Sequence, residues 1–135
     1  MLDTIFIAIL LCSAIYDYRT HIVKDRYWLT IGVLAVLKST DYSELLSNAV
    51  LIIPVIIALG FMKCGGGDLK FIFALSLYLG VEICVICIGL AMLLVLGFYR
   101  LLLPMKGKIV ESDFNYPLLP FLNSSIVFVY TIYLI

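Results

Sequence analysis

Histidine is the scarcest catalytic residue in this chain of 135 residues, with His21 the only one. Two-histidine metal motifs are therefore excluded, and so is any serine–histidine–aspartate scheme that does not use His21. That residue lies in a loop between Arg19 and Lys24, where a solvated or headgroup-facing imidazole is the ordinary reading. Charge is scarce too: 13% of residues are charged, against about a quarter in soluble domains. Nine basic residues balance nine acidic ones, which removes the broad positive surface that nucleic acid requires. No nucleic-acid partner is expected.

Cysteine is limited to Cys12, Cys64, Cys84 and Cys87, with one C-x-x-C spacing inside an apolar stretch and no second pair. A zinc site needs four ligands, so ordinary buried thiols are expected, with neither metal nor cofactor. Repeats, low-complexity tracts and Gly/Ser linkers are missing. A single domain over residues 1–135 is the expected organisation.

Apolar residues dominate instead, at 64% of the chain with a mean hydropathy of +1.19. The lipid bilayer is the expected surroundings. A soluble catalytic domain of about 100 residues cannot fit beside so many apolar stretches, so any chemistry belongs to residues on or between membrane helices. The apolar runs are Leu2–Tyr16, Tyr27–Leu37, Leu45–Met62, Phe71–Leu79, Val81–Leu103 and Pro117–Ile135. Tyr27–Leu37 is short and needs either its polar flanks or a half-span. Phe71–Leu103 is long enough, at about 1.5 Å per residue, to cross twice with a tight turn near Gly80.

The expected fold is all-α and polytopic, with about six transmembrane helices. Lys and Arg accumulate in cytoplasmic loops. With six spans and the N-terminus outside, Arg19, Lys24, Arg26, Lys63, Lys70, Arg100, Lys106 and Lys108 fall on the inner face and only Lys38 on the outer. A five-span arrangement loses most of that asymmetry. No Lys or Arg precedes the first span and no convincing cleavage site follows it, so it is expected to be retained.

Acids at membrane depth are costly and point to function. By this topology Asp3, Asp41, Glu44 and Glu82 lie at the outer face, and Asp25, Glu111 and Asp113 in inner-face loops. Asp17 ends the first span and Asp68 opens the fourth, both at the cytoplasmic boundary. Two aspartates at one depth on different helices suit an aspartic peptidase, with one ionised to deprotonate water and the other protonated to polarise the scissile carbonyl. Gly65, Gly66 and Gly67 before Asp68 would let a substrate backbone approach closely. The plainer alternative is a glycine turn with Asp68 as the N-cap of the helix that follows.

Gly65-Gly66-Gly67-Asp68-Leu69-Lys70 resembles the G-x-G-D-x-K signature of the type IV prepilin peptidases, membrane aspartic proteases of the GxGD class. Asp17-Tyr18-Arg19-Thr20-His21-Ile22-Val23-Lys24-Asp25 is similar to that family's D-x-R-x-x-x-I-P-N/D element. A third match is Pro117-Leu118-Leu119-Pro120-Phe121, like the P-x-x-P-F start of the final helix. The resemblance implies that Asp17 and Asp68 are the catalytic pair, with Gly65–Gly67, Lys70 and Arg19 in binding or support. It implies prepilin-like or archaeal flagellin-like substrates, cut after a glycine at the cytoplasmic membrane face, between a basic leader and a hydrophobic helix. Lys24 stands where the family usually has proline, which loses a rigid turn. Larger members carry an N-terminal methyltransferase domain with paired C-x-x-C motifs. This chain resembles the short, peptidase-only members, so no methyltransferase activity is expected.

Two competing classes remain open. The presenilin and signal-peptide-peptidase group also uses an aspartate after G-x-G, but those chains are far longer and require a P-A-L motif that Pro117-Leu118-Leu119 only suggests. A small transporter or scaffold subunit would instead use Asp17 and Asp68 to bind protons or to pair with Arg19 and Lys70. Glu111 and Asp113, in the loop 104–116, could steer a basic leader.

Overall fold

The computed structural model describes residues 2–20, 24–61, 64–98 and 118–134. These form six helices and, among the described residues, no strand: α1 Leu2–Thr20, α2 Asp25–Lys38, α3 Tyr42–Phe61, α4 Gly66–Leu79, α5 Val81–Gly97 and α6 Leu118–Leu134. The short run Tyr27–Leu37 does take up its polar flanks, Asp25 and Arg26 before it and Lys38 after it. The long run Phe71–Leu103 breaks at Gly80, whose φ of 88° is costly for any residue with a Cβ. Gly80 N–H still bonds the Ser76 carbonyl and Gly80 C=O receives Cys84 N–H, so one residue joins α4 to α5. Asp41 accepts the N–H of Ser43 at 2.9 Å and caps α3.

By length and composition, α3 is the one described helix both long and apolar enough to cross a membrane. At about 1.5 Å per residue, its 20 residues reach the thickness of a bilayer core, whereas the 14 residues of α4 fall short.

The centre of the bundle is α4, which packs against α2, α3 and α5. Phe71, Ile72, Ala74, Leu75, Ser76 and Tyr78 are buried along it. The last helix, α6, lies against α5 and α1, and α1 also meets α2. Cys84 and Cys87 are buried free thiols on α5, in keeping with the sequence reading.

A polar cluster locks one end of the bundle. Asp3 Oδ1 on α1 accepts hydrogen bonds from Lys38 Nζ at 3.0 Å and from the Tyr78 hydroxyl at 2.7 Å, while Tyr130 on α6 adds another. The Tyr78 ring stacks on Phe6 with centroids 4.0 Å apart, and Lys38 Nζ sits over its face. Lys38, the one cation assigned to the outer side by the charge pattern, thus has its charge matched by Asp3. The opposite end of the bundle is left to the residues singled out as functional.

Candidate functional site

One buried stripe runs along α1 towards its C-terminal end. Phe6, Leu10, Ser13 and Asp17 are all buried, and their spacing of four, three and four places them on one helix face. Polarity rises along that stripe, from two apolar residues to a hydroxyl to a carboxylate. Asp17 is 4% exposed. Helix α1 runs on through Tyr18, Arg19 and Thr20, so Asp17 lies within the helix and not at its end.

The second carboxylate is set by the glycine segment. Gly65 is the N-cap of α4, extended at φ −61° and ψ 142°, and its carbonyl accepts Leu69 N–H at 3.2 Å. Gly66 and Gly67 are already helical, which makes Asp68 the third helical residue and overturns the alternative that it is the N-cap. An acid in this first turn faces the positive end of the helix dipole. A Cβ on Gly65 would come within 3.4 Å of Asp68 Oδ2, so the carboxylate folds back over the glycine segment. Asp68 is partly buried and near enough to Asp17 for the charge of one to act on the other. The two singled-out aspartates, about 50 residues apart in sequence, thus lie within range of each other's charge.

The remaining predicted residues separate. Arg19 is exposed on the last turn of α1, where a cation suits the helix C-terminus. Lys70 pairs with Asp25: its Nζ is 3.2 Å from Asp25 Oδ1 and 5.9 Å from the centroid of Trp28. The Trp28 indole N–H donates to the same Asp25 oxygen at 2.9 Å. Together these bonds, the indole's first, hold the Asp25 carboxyl below the usual carboxylate range. Asp25, read from sequence as a solvated loop acid, therefore joins the first motif segment to the second. The hint was its spacing from Trp28, three residues on along one helix face. Nearby, Lys24 Nζ sits 4.3 Å over the Tyr16 ring, and the rings of Tyr16 and Tyr27 lie 6.1 Å apart, fastening the end of α1 to the start of α2.

Cys64 also belongs to this region. Partial burial, and next the charge of Asp68, push its thiol above the ordinary range. Beyond Asp68, Leu69 and Lys70 join Trp28, Ile56 and Phe73 around an apolar groove of about 330 Å³. No cluster of three or more His, Cys, Asp or Glu residues that would hold a metal occurs among the described residues. His21, Pro117, Glu111 and Asp113 lie outside the described residues, and so does the steering role considered for the loop 104–116.

The family model for the type IV leader peptidases matches residues 4–101, a stretch that carries both aspartates and both motif segments. The chain belongs to the type IV leader peptidase family. It is thereby a member of a family of membrane-associated peptidases whose substrates are prepilin-like proteins in general. The match ends before α6, which supplies its own contacts to the aspartate-bearing helix α1. No curated protein and no solved structure matches the chain.

Proposed function

We propose that this type IV leader peptidase is an aspartic endopeptidase whose catalytic pair is Asp17 and Asp68, and that it removes the short basic leader of prepilin-like or archaeal flagellin-like proteins at the cytoplasmic face of the cell membrane. The observation that carries this reading is that two carboxylates, one buried on α1 and one in the first turn of α4, lie within range of each other's charge. Like charges so placed resist joint ionisation, and the pair shares a proton. The ionised member takes a proton from water as that water attacks the scissile carbonyl. The protonated member donates to the carbonyl oxygen and stabilises the tetrahedral intermediate. Gly65–Gly67, having no side chains, would admit the extended substrate backbone beside Asp68.

The six-span arrangement is part of the same proposal. Large apolar side chains stay exposed on every helix but α4, among them Leu11, Ile15, Val33, Leu51, Ile57, Leu93 and Phe128. A surface of that kind suits lipid and is a liability in water. Arg19, Lys24, Arg26 and Lys70 gather at the end that holds the aspartates, as the positive-inside rule asks of a cytoplasmic face.

The pairing of Lys70 with Asp25 favours the peptidase over a transporter or scaffold in which Lys70 neutralises Asp68, since the lysine is engaged elsewhere. The test is incubation of the purified protein, in lipid, with a panel of prepilin-like substrates, followed by mass analysis of the products. A single cut at the junction between leader and hydrophobic segment is expected. Intact substrates across the panel would refute the assignment.

A further inference from the structure

Asn123, on α6, is 3% exposed. Its Nδ2 donates to the Leu10 carbonyl at 2.9 Å and to Ser13 Oγ at 3.2 Å, and Ser13 Oγ in turn donates to Leu10 O at 2.8 Å. Both acceptors belong to α1, and Ser13 precedes Asp17 by four residues on the same buried stripe, about one helical turn away. Leu10 O can only accept, so the amide nitrogen must face α1. Asn123 Oδ1 is then left buried with no hydrogen-bond partner among the described residues.

An amide with one half satisfied is a poor way to glue two helices, because a desolvated acceptor without a partner opposes folding. An apolar residue of similar size would fill the space without that cost. What the amide does supply is direction: it fixes the rotation and depth of α1 against α6 next to the turn that carries Asp17.

We infer that Asn123, acting through Ser13 and the Leu10 carbonyl, is a positioning residue for Asp17 that sets the separation of the Asp17–Asp68 pair. The inference rests on the reading of that pair as catalytic. Asn123 and Ser13 touch neither water nor substrate in this role. They hold α1 in register, so that the two carboxylates share one proton.

The test measures kcat, KM and the pH profile of leader cleavage for Asn123→Leu, Ser13→Ala and Ser13→Thr in lipid, with Asp17→Asn alongside. A misplacement of about 1 Å costs up to ~100-fold in rate, so Asn123→Leu should lose roughly 10- to 100-fold in kcat with KM unchanged. The pH range of activity should also narrow. The singly protonated pair exists between two titration steps, and as the carboxylates separate those steps draw together. Ser13→Ala should move both readouts the same way by less, and Ser13→Thr, which keeps the hydroxyl, should restore them. A membrane-inserted Asn123→Leu with the parent's kcat and pH range, alongside an inactive Asp17→Asn, would overturn the positioning role, even if its thermal stability fell. If Asn123→Leu fails to insert, an unchanged kcat and pH range in Ser13→Ala would overturn it equally. Cleavage by Asp17→Asn would instead remove the catalytic pair, and the positioning role with it.

Discussion

Lys70, two residues after Asp68, is paired with Asp25 through a 3.2 Å contact that bridges 45 positions of the chain. The pair links the start of α2 to the second turn of α4, so it joins the motif segment 17–25 to the motif segment 65–70. Both side chains are more than half exposed, so their mutual attraction is screened by salt.

The effect of breaking that pair should accordingly be modest. Asp25→Asn and Lys70→Gln are each expected to lower cleavage less than ten-fold, and the double variant should lose little more than either single one. Rates measured at low and high salt check the origin. The parent should lose activity as salt rises, and the variants should respond less.

Cys64 reports on the charge of Asp68. Burial first, and then that charge, favour the neutral thiol, so Asp68→Asn should lower the thiol's pKa in part and raise its thiolate fraction near neutral pH. Because the thiolate is the nucleophile, maleimide labelling of Cys64 should be faster in Asp68→Asn, in a background with Cys12, Cys84 and Cys87 replaced. The difference should vanish at a pH where both thiols are fully ionised. Equal rates near neutrality would separate Cys64 from Asp68.

At the other end of the bundle, the Asp3 cluster should matter for stability and not for chemistry. Tyr78→Phe keeps the ring stacked on Phe6 and removes one hydrogen bond to a charged acceptor, an interaction worth ~1 kcal/mol or more when shielded and less here, since Asp3 is half exposed. Thermal unfolding in detergent should therefore drop by a small amount for Tyr78→Phe and by more for Asp3→Ala, which releases Lys38 as well. Cleavage rates well below the melting temperature should match the parent's.

Much of the helix layout was legible in the sequence because it depends on local properties. The break at Gly80 follows from an apolar run too long for one crossing, and the two aspartates stand out because each sits at the same boundary of its run within a motif segment. What was not legible is tertiary. The apolar run Leu2–Tyr16 stops short of Asp17, whereas α1 continues through Asp17 and Arg19 to Thr20. Asp25 is exposed, as a solvated acid would be, but its pairing with Lys70 was hidden because that partner lies on another helix, and the exceptional Lys38 is explained by Asp3 on α1. Asn123 gave no signal at all, since its partners are on α1, more than 100 positions away.

The chemistry assigned to the pair requires no metal. Chelators such as EDTA and phenanthroline should leave the cleavage rate unchanged. Loss of activity in chelator, restored by added zinc, would replace the aspartate mechanism with a metal-assisted one.

The central claim is tested most directly by leader cleavage in single variants Asp17→Asn and Asp68→Asn, purified and reconstituted in lipid beside the parent. A carboxamide can neither take a proton from water nor return one to the scissile carbonyl, so each variant should insert normally and leave the prepilin-like substrate intact. Substantial cleavage by either one would contradict the catalytic pair.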